Sequence, residues 1–347
     1  MNDRRTARGA PWGFGILGAG LVADYHRRAI AATPRAELVA VADADTSRHE
    51  AMVRDFGVPA VTETELLADP AVAVVSVCTP SGRHAEQAIR AAEAGKHVLV
   101  EKPMALSLED ADAMIEACRA NGVTLAVCLQ RRTEPAVKRV REAVAGGALG
   151  RVTLAGAFMP YYRPDAYYAQ ADWRGTWDGD GGGVLMNQGI HLIDLLVWCL
   201  GDPQVVGAGA ATLVRGVEVE DTAAATLRFP GGALATVAGT TTAAPGFAHE
   251  LRFHGTEGSM VMTGDSVTTW HVPRDPESPP PATEARAVEA GAAGDPRKVS
   301  YDGHVRLVAN LVAALDGEEE LIADGREGRR SLAVVLGVYE AAGIRRR

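Results

Sequence analysis

The sequence predicts an α/β N-terminal domain built on a parallel sheet, followed by an α+β C-terminal domain built on a large, mostly antiparallel open sheet. Three observations carry this prediction. From Gly13 to about Gln130, short β-branched runs alternate with alanine-rich helical stretches, which is the rhythm of βαβ units. The runs in that part are continuously apolar, as strands covered on both faces are. From about Arg151 the strand-like runs follow one another with only short turns such as PGG and GTEG between them. The division falls at 130/131, giving domains over 1–130 and 131–347, with a C-terminal helix able to pack back on the first.

In the first domain the predicted strands are FGILG, ELVAVAD, AVVSVC, HVLVE and TLAVCLQ. Helices are predicted over Leu21–Thr33, Ser47–Phe56, Arg83–Ala94 and Leu108–Asn121. In the second, VTLAGAF, VVGAGAATLV, TAAATLRF, ALATVAGTTT, ELRFHG and SMVM read as strands, interrupted by one long helix near Gly189–Leu200. Residues Pro273–Pro296, rich in Pro, Ala, Glu and Asp, read as an exposed loop. Helix returns at His304–Leu315 and Arg329–Ala342, and Arg345–Arg347 reads as a solvated tail.

Composition excludes several classes. With 347 residues and 47% hydrophobic content, the chain has enough apolar material for two packed domains. Its longest apolar runs, VAVVSVC and LIDLLVWCL, are far short of a membrane span. No apolar segment follows the arginines of MNDRRTARGAPW, so no secretory leader is expected. A net charge of −9 without a Lys/Arg stripe offers nucleic acid no footprint. Cys78, Cys118, Cys128 and Cys199 sit far apart in apolar segments, with neither CxxC pairs nor metal-ligand spacing. That usage fits a reducing cytoplasm, and no metal site is expected.

The strand FGIL runs into Gly18-Ala19-Gly20-Leu21-Val22-Ala23 and then a helix: G-x-G-x-x-A in its required strand–turn–helix setting. The first glycine permits the turn, the second lets the backbone approach a pyrophosphate, and the small third residue allows close helix packing. Backbone N–H groups at the helix start, at Leu21 and Val22, meet the phosphates. The next strand ends at Asp43, placed to bond an adenosine ribose. A carboxylate there favours NAD over NADP, although Arg48, a helical turn on, offers a partner for a 2′-phosphate. Thr79-Pro80 ends the third strand at the carboxyl edge, where open α/β sheets bind ligands. His84 then stands on the first turn of a helix, either as a cofactor neighbour or as a solvated helix-start histidine.

The fourth strand ends Glu101-Lys102-Pro103. A lysine partly desolvated beside a cofactor takes part in proton transfer or polarises a substrate oxygen; the alternative is a strand-end ion pair. Pro103 rigidifies the turn. Gln130 and Arg131 end the fifth strand and point toward the same crevice. In DGDGGGVLMNQGIHLIDLLVW, Gly181–Gly183 allow close backbone approach to a ligand or to the other domain. A helix beginning near Asn187 puts Asn187, His191 and Asp194 on one face. His191 is then either reactive or a core histidine satisfied by Asp194.

Taken together, GILGAG…AVADAD, VCTPSGRHAEQA, AGKHVLVEKP and NQGIHLIDLL resemble the Gfo/Idh/MocA oxidoreductases, typified by glucose–fructose oxidoreductase and inositol dehydrogenase. The resemblance covers nearly the whole chain. It implies that Lys102 and His191 flank the nicotinamide. Many members carry aspartate four residues before the histidine, where this chain has Asn187; an amide cannot raise the basicity of His191 as a carboxylate would. The stretch YYAQADWRGTWDGDGGGVLMNQGIH looks closest to the branch oxidising C3 of UDP-N-acetylglucosamine-type uronates. Trp173, Arg174 and Trp177 would there supply a stacking surface and a fixed cation for a sugar bearing an acidic group.

The resemblance implies Lys102, His191 and Asn187 as catalytic residues. It places the cofactor on Gly18, Gly20, Leu21, Val22, Asp43, Thr79, Pro80, His84, Glu101, Lys102 and Gln130. The substrate, a sugar or polyol, falls to Lys102, Arg131, Trp173, Arg174, Trp177, Asn187 and His191. Two other readings stay open: a glycoside-cleaving enzyme that retains its NAD, and a redox-silent dinucleotide-binding sensor. An unaccounted face of the second sheet points to a homodimer or homotetramer.

Overall fold

A computed structural model describes residues 10–275, 277 and 300–344. The chain forms two compact units. The first holds residues up to Gln130 together with 300–329, and the second holds 131–299 and the stretch from Arg330 onward. The expected boundary at 130/131 is thus one of several chain crossings, because 300–329 returns to the first unit. The loop expected over Pro273–Pro296 falls mostly, and the tail at Arg345–Arg347 wholly, outside the described residues.

In the first unit, β1 (Trp12–Leu17), β2 (Ala36–Ala42), β3 (Ala60–Val61), β4 (Val74–Val77), β5 (His97–Val100) and β6 (Leu125–Val127) form one sheet in the order β3-β2-β1-β4-β5-β6. Every pairing in it is parallel. All six residues of β1 are buried, as a central strand covered on both faces requires. The helices α1 (Leu21–Ala32), α2 (His49–Phe56), α3 (Glu63–Ala68), α4 (His84–Glu93) and α5 (Leu108–Ala120) connect the strands. The short α3 escaped the sequence reading, yet Thr62 and Glu65 give it a full capping box. Helix Asp302–Leu315 packs on α1, and its Leu307, Val308, Leu311 and Val312 join Phe14, Ile16 and Ile30 in one core.

Strand order reverses between β1 and β4, so the carboxyl ends of these two strands diverge into a crevice that suits a ligand. Gly18 follows β1, Asp43 follows β2, Thr79 lies just past β4 and Glu101 follows β5. All four stand on the same edge of the sheet.

In the second unit, β7 (Val152–Pro160), β8 (Gln204–Ala211), β9 (Thr222–Arg228), β10 (Leu234–Thr240), β11 (Glu250–Gly255), β12 (Ser259–Thr263) and β13 (Ser266–His271) form a seven-stranded sheet, β13-β12-β11-β7-β10-β9-β8. It is antiparallel except where β10 runs parallel to β7. Burial alternates along β9 to β12, marking one covered face. A π-helical segment (Val184–Gly189) leading into α8 (Ile190–Leu200) lies against that face. The unit also contains the short α7 (Asp165–Tyr168) and, before it, α6 (Pro135–Ala145), which the sequence reading passed over although its buried Val137, Val140 and Ala143 recur at helical spacing. Its first residue, Pro135, is pre-organised for a helix start. Among the described residues no helix is long and apolar enough to cross a membrane.

Candidate active site

The glycine turn meets the demands of a dinucleotide. Gly18 has φ +91°, and a Cβ there would come within 2.8 Å of the Cys78 carbonyl oxygen, so the fold itself excludes other residues. Gly20 is different: its φ is −83°, and a Cβ there would meet nothing within 4 Å. Protein packing therefore does not require glycine at this position, while a pyrophosphate lying against the backbone would. Gly20 is also the N-cap of α1 and makes no side-chain capping bond, so no side chain of its own competes for the helix-start N–H groups that include Leu21 and Val22. Ala23, the small third residue of the motif, is fully buried.

Asp43 is held in place by the chain. Its Oδ2 accepts the Ala19 N–H at 2.8 Å and its Oδ1 accepts the Asp45 N–H at 3.0 Å. Arg48 reaches back to the same turn, donating to the Ala19 carbonyl at 3.0 Å, with its other terminal nitrogen 3.9 Å from Asp43. The arginine considered for a 2′-phosphate is therefore already engaged by the glycine turn and by Asp43.

His84 is buried, which corrects the solvated alternative. Its Nδ1 lies 2.8 Å from the Pro103 carbonyl oxygen and its Nε2 2.8 Å from that of Thr79, so one ring ties the TP turn to the EKP turn. Beside it the Thr79 hydroxyl donates to Gln87 at 2.5 Å. The Lys102–Pro103 peptide is cis.

Glu101 turns away from solvent into a network that the sequence did not reveal. His26 Nε2 lies 2.8 Å from Glu101 Oε1, and His26 Nδ1 lies 2.5 Å from the Ser76 hydroxyl. His304 Nε2 stands 3.5 Å from the same carboxylate oxygen, and Glu101 Oε2 accepts the Lys102 backbone N–H at 3.1 Å. Burial alone would raise the Glu101 carboxyl, but hydrogen bonds and charge from His26 and His304 hold it well below the usual carboxylate range. Burial in turn lowers His26, with Glu101 opposing. With Cys128, the donor atoms of this cluster lie within 4.8 Å of one another. Both ring nitrogens of His26 are already within hydrogen-bond distance of protein partners, Glu101 and Ser76, so a metal there would have to displace one of those contacts. Lys102 thus extends from a backbone fixed on one side by Glu101 and on the other by His84. Gln130 opens the short 3₁₀ turn Gln130–Thr133 that follows β6.

In the second unit Gly182 and Gly183 serve packing. A Cβ on Gly183 would lie 1.6 Å from the Glu220 carbonyl oxygen, and one on Gly182 would lie 2.2 Å from the Tyr339 hydroxyl. The buried Glu220 carboxylate accepts from Gly183 N–H at 2.7 Å, Leu185 N–H at 2.9 Å and the Tyr339 hydroxyl at 2.9 Å. It thereby seats the start of the π-helical segment. The close approach anticipated for these glycines is to Glu220 and Tyr339, within their own unit.

The expected regular helix from Asn187 is also corrected, because the wider π turn runs through Gly189 and α8 begins only at Ile190. Asp194 does not serve His191. Arg132 grips it through two hydrogen bonds and Ser331 donates to it at 2.6 Å. Asn187 donates from Nδ2 to Asp180 Oδ1 at 2.8 Å.

Of the expected substrate residues, Arg174 lies between two aromatic rings, 4.6 Å from the Trp173 centroid and 4.6 Å from that of Tyr167. It donates to the Tyr167 hydroxyl at 2.8 Å and forms no ion pair with a carboxylate among the described residues. Trp173 is thereby engaged with Arg174. Trp177 meets Tyr339 edge-on at 5.5 Å. Arg131 donates to Asp265 at 2.7 Å. His249, buried and 3.4 Å from that guanidinium, is pushed down to about 3 by burial and by the arginine's charge.

A six-stranded doubly wound sheet with a glycine turn and the Asp43 carboxylate at one edge is the architecture of a nicotinamide-dinucleotide-binding oxidoreductase. The family model for the oxidoreductase family with an NAD-binding Rossmann fold matches residues 12–129, and that for the GFO/IDH/MocA C-terminal domain matches 137–261. The chain belongs to the Gfo/Idh/MocA oxidoreductase family. It is 33% identical over 342 residues to 1,5-anhydro-D-fructose reductase of Ensifer adhaerens, covering 95% of this chain and 96% of the relative. It is 30% identical to scyllo-inositol 2-dehydrogenase (NAD(+)) of Bacillus subtilis, covering 71% and 72%. Among solved structures, the WlbA dehydrogenase from Bordetella pertussis, in complex with NADH and UDP-GlcNAcA, superposes with a TM-score of 0.86 at 34% identity, covering 96% of each chain.

Proposed function

We propose that this protein is an NAD-dependent dehydrogenase that interconverts a secondary alcohol and a ketone on a cyclic sugar, nucleotide sugar or polyol. The observation that carries the reading is Lys102, kept at the cofactor edge of the parallel sheet by the Glu101 and His84 contacts on either side of it. A redox-silent sensor has no use for such a lysine. A nicotinamide bound at that edge would accept hydride from the carbinol carbon. The chain's own part is to orient the sugar and to manage the hydroxyl proton, assigned here to Lys102 of the first unit and to His191 and Asn187 of the second. Asp43, which carries no phosphate-binding arginine free of other contacts, supports NAD over NADP. Likeness to WlbA supports a nucleotide sugar, and the Arg174 guanidinium between Trp173 and Tyr167 supports an acidic group on it.

Two further features complete the reading. One face of the second sheet leaves Leu154 50%, Phe158 52% and Leu234 43% exposed, with Leu154 and Leu234 paired across the strands, and a second copy of the chain covers it in a homodimer or homotetramer. The four cysteines are free thiols, and burial pushes Cys118 up to about 11 and Cys199 up to about 12, in keeping with a cytoplasmic enzyme. The test is a panel of sugars, inositols and nucleotide sugars followed by NADH absorbance. Turnover with NADH formation supports the proposal. Substrate consumption without net NADH marks the glycoside-cleaving reading, and binding without any turnover marks the sensor.

A further inference from the structure

The carboxylate that many relatives carry four residues before the histidine is an amide here, but a carboxylate stands directly behind it. Asp180 is 3% exposed. Its Oδ2 accepts the Gly175 N–H at 2.6 Å, and its own N–H donates to Thr176 at 3.1 Å, so loop 175–180 holds the side chain in place. Its Oδ1 accepts the Asn187 Nδ2–H at 2.8 Å. An inverted amide would set the Asn187 oxygen against the carboxylate oxygen at that same distance, with no proton between them. Only one amide orientation is therefore compatible with Asp180.

We propose that Asp180 is a positioning residue that locks Asn187 with its amide nitrogen toward Asp180 and its amide oxygen on the opposite side, so that Asn187 serves the reaction as a hydrogen-bond acceptor. Without that lock an asparagine is ambivalent, since it can offer either an N–H or an oxygen. An acceptor holds the substrate hydroxyl by its proton and aligns the oxygen's lone pairs and the C–H bond. A donor would hold the hydroxyl by its oxygen and turn the proton elsewhere. The inference rests on the assignment of Asn187 and His191 to the reacting alcohol.

The pairing makes an exchange of the two side chains informative. Asn187→Asp alone places two carboxylates at hydrogen-bond distance, where they must share a proton. Titratable or charged groups around the pair include Tyr167, whose ionisation is opposed by burial and also by Asp180; Arg174, which holds the Tyr167 hydroxyl; and Arg163, 5.6 Å from the same ring. None of these changes in the exchange. Asp180→Asn alone frees the amide at 187 to turn over. The double variant Asp180→Asn/Asn187→Asp restores one amide donor facing one carboxylate acceptor.

The four proteins are compared as NAD-loaded enzymes, with His191→Asn as a control, using kcat, KM and melting temperature between pH 5 and 9. Asp180→Asn should lose about tenfold or more in kcat, the scale of a charge-assisted hydrogen bond, with KM changed less. Asn187→Asp should lose turnover and thermal stability as pH rises and the shared proton leaves. The exchange variant should recover at least tenfold over the poorer single variant and show no such pH-dependent loss. Single-variant effects that simply multiply in the exchange variant, or an Asn187→Asp enzyme with the wild-type pH dependence, would overturn the proposal. If His191→Asn keeps full turnover, the assignment of this helix to the alcohol fails instead. The pH dependence of melting reports the pairing of 180 with 187 even in an enzyme inert toward every sugar tried.

Discussion

Arg132 holds Asp194 through two hydrogen bonds, Nε to Oδ2 at 2.8 Å and Nη2 to Oδ1 at 2.7 Å, and both side chains are almost completely buried. Trp198 lies against the guanidinium at 5.2 Å. Ser331 fills another acceptor site of Asp194. This pair meets the need of the acid on α8, so His191, three residues earlier, is not required to do so.

That division predicts opposite outcomes for two substitutions. His191→Asn should reduce turnover by on the order of 10²-fold or more while the melting temperature stays close to wild type. Arg132→Ala leaves a buried carboxylate without its cation and should cost about 3–5 kcal/mol. Thermal melts and turnover measured on the same preparations check both. A large stability loss in His191→Asn would return the histidine to the core.

Lys102→Ala should keep NAD affinity, because its backbone is seated by Glu101 and the glycine turn lies on a different strand. Turnover should fall by about 10²–10⁴-fold. Titration of NADH fluorescence beside steady-state rates separates the two. Lost NAD binding with intact turnover per bound cofactor would make the lysine an anchor.

Asp43→Ala should narrow the preference of the enzyme for NAD over NADP. The wild-type protein should bind NAD the more tightly, and isothermal titration with each dinucleotide checks this. A native preference for NADP of about tenfold, roughly 1.4 kcal/mol, would contradict the role of Asp43. Because Asp43 also accepts the Ala19 N–H, a modest drop in stability should accompany the variant.

The Glu101 network predicts acid sensitivity of definite sign. Glu101 is depressed in the folded state, so its contribution is present above its unfolded value near 4.5 and is lost as pH falls toward its folded one. His26 is also lowered, which favours its neutral form on folding, so its contribution fades as pH falls below about 6.5. Both act in the same direction. Melting temperature should decline from pH 7 to pH 4 more steeply in wild type than in Glu101→Gln, whose curve starts lower. Parallel curves would show that the network is uncoupled from folding.

The proposed homo-oligomer predicts that glutamate in place of both Leu154 and Phe158 gives monomers in sedimentation velocity, with the secondary structure unchanged. A wild-type protein that sediments as a monomer, or a variant with an unaltered sedimentation coefficient, would contradict the proposed contact at this face.

The fold was legible wherever chemistry is local. Apolar runs, the glycine turn and the placement of Asp43, Thr79 and Glu101 at strand ends all lie within short windows of sequence, and the six-stranded and seven-stranded sheets follow that reading. What stayed hidden depends on distant partners. Nothing in the spacing of His26, Ser76 and His304 marks them as neighbours of Glu101, and nothing near Asp194 names Arg132. The π turn at Val184–Gly189 broke the expected helical stripe because Glu220, far along the chain, captures the N–H groups of Gly183 and Leu185. Asp180 was visible as a letter but not as the partner of Asn187, since only the loop between them brings the two together.

The return of residues 300–329 to the first unit has a bearing on biosynthesis. Leu307, Leu311 and Val312 fill the same core as Phe14 and Ile30, and Asp316 accepts from the Trp12 indole at 3.1 Å. A ribosome that has emitted the first 130 residues has therefore not yet delivered the helix that closes their core. N-terminal domains ordinarily fold first during synthesis, but this one must wait until the chain has been read past about residue 316. A fragment ending at Gln130 should be insoluble or only partly ordered, and premature termination anywhere before about residue 315 should damage both halves of the protein.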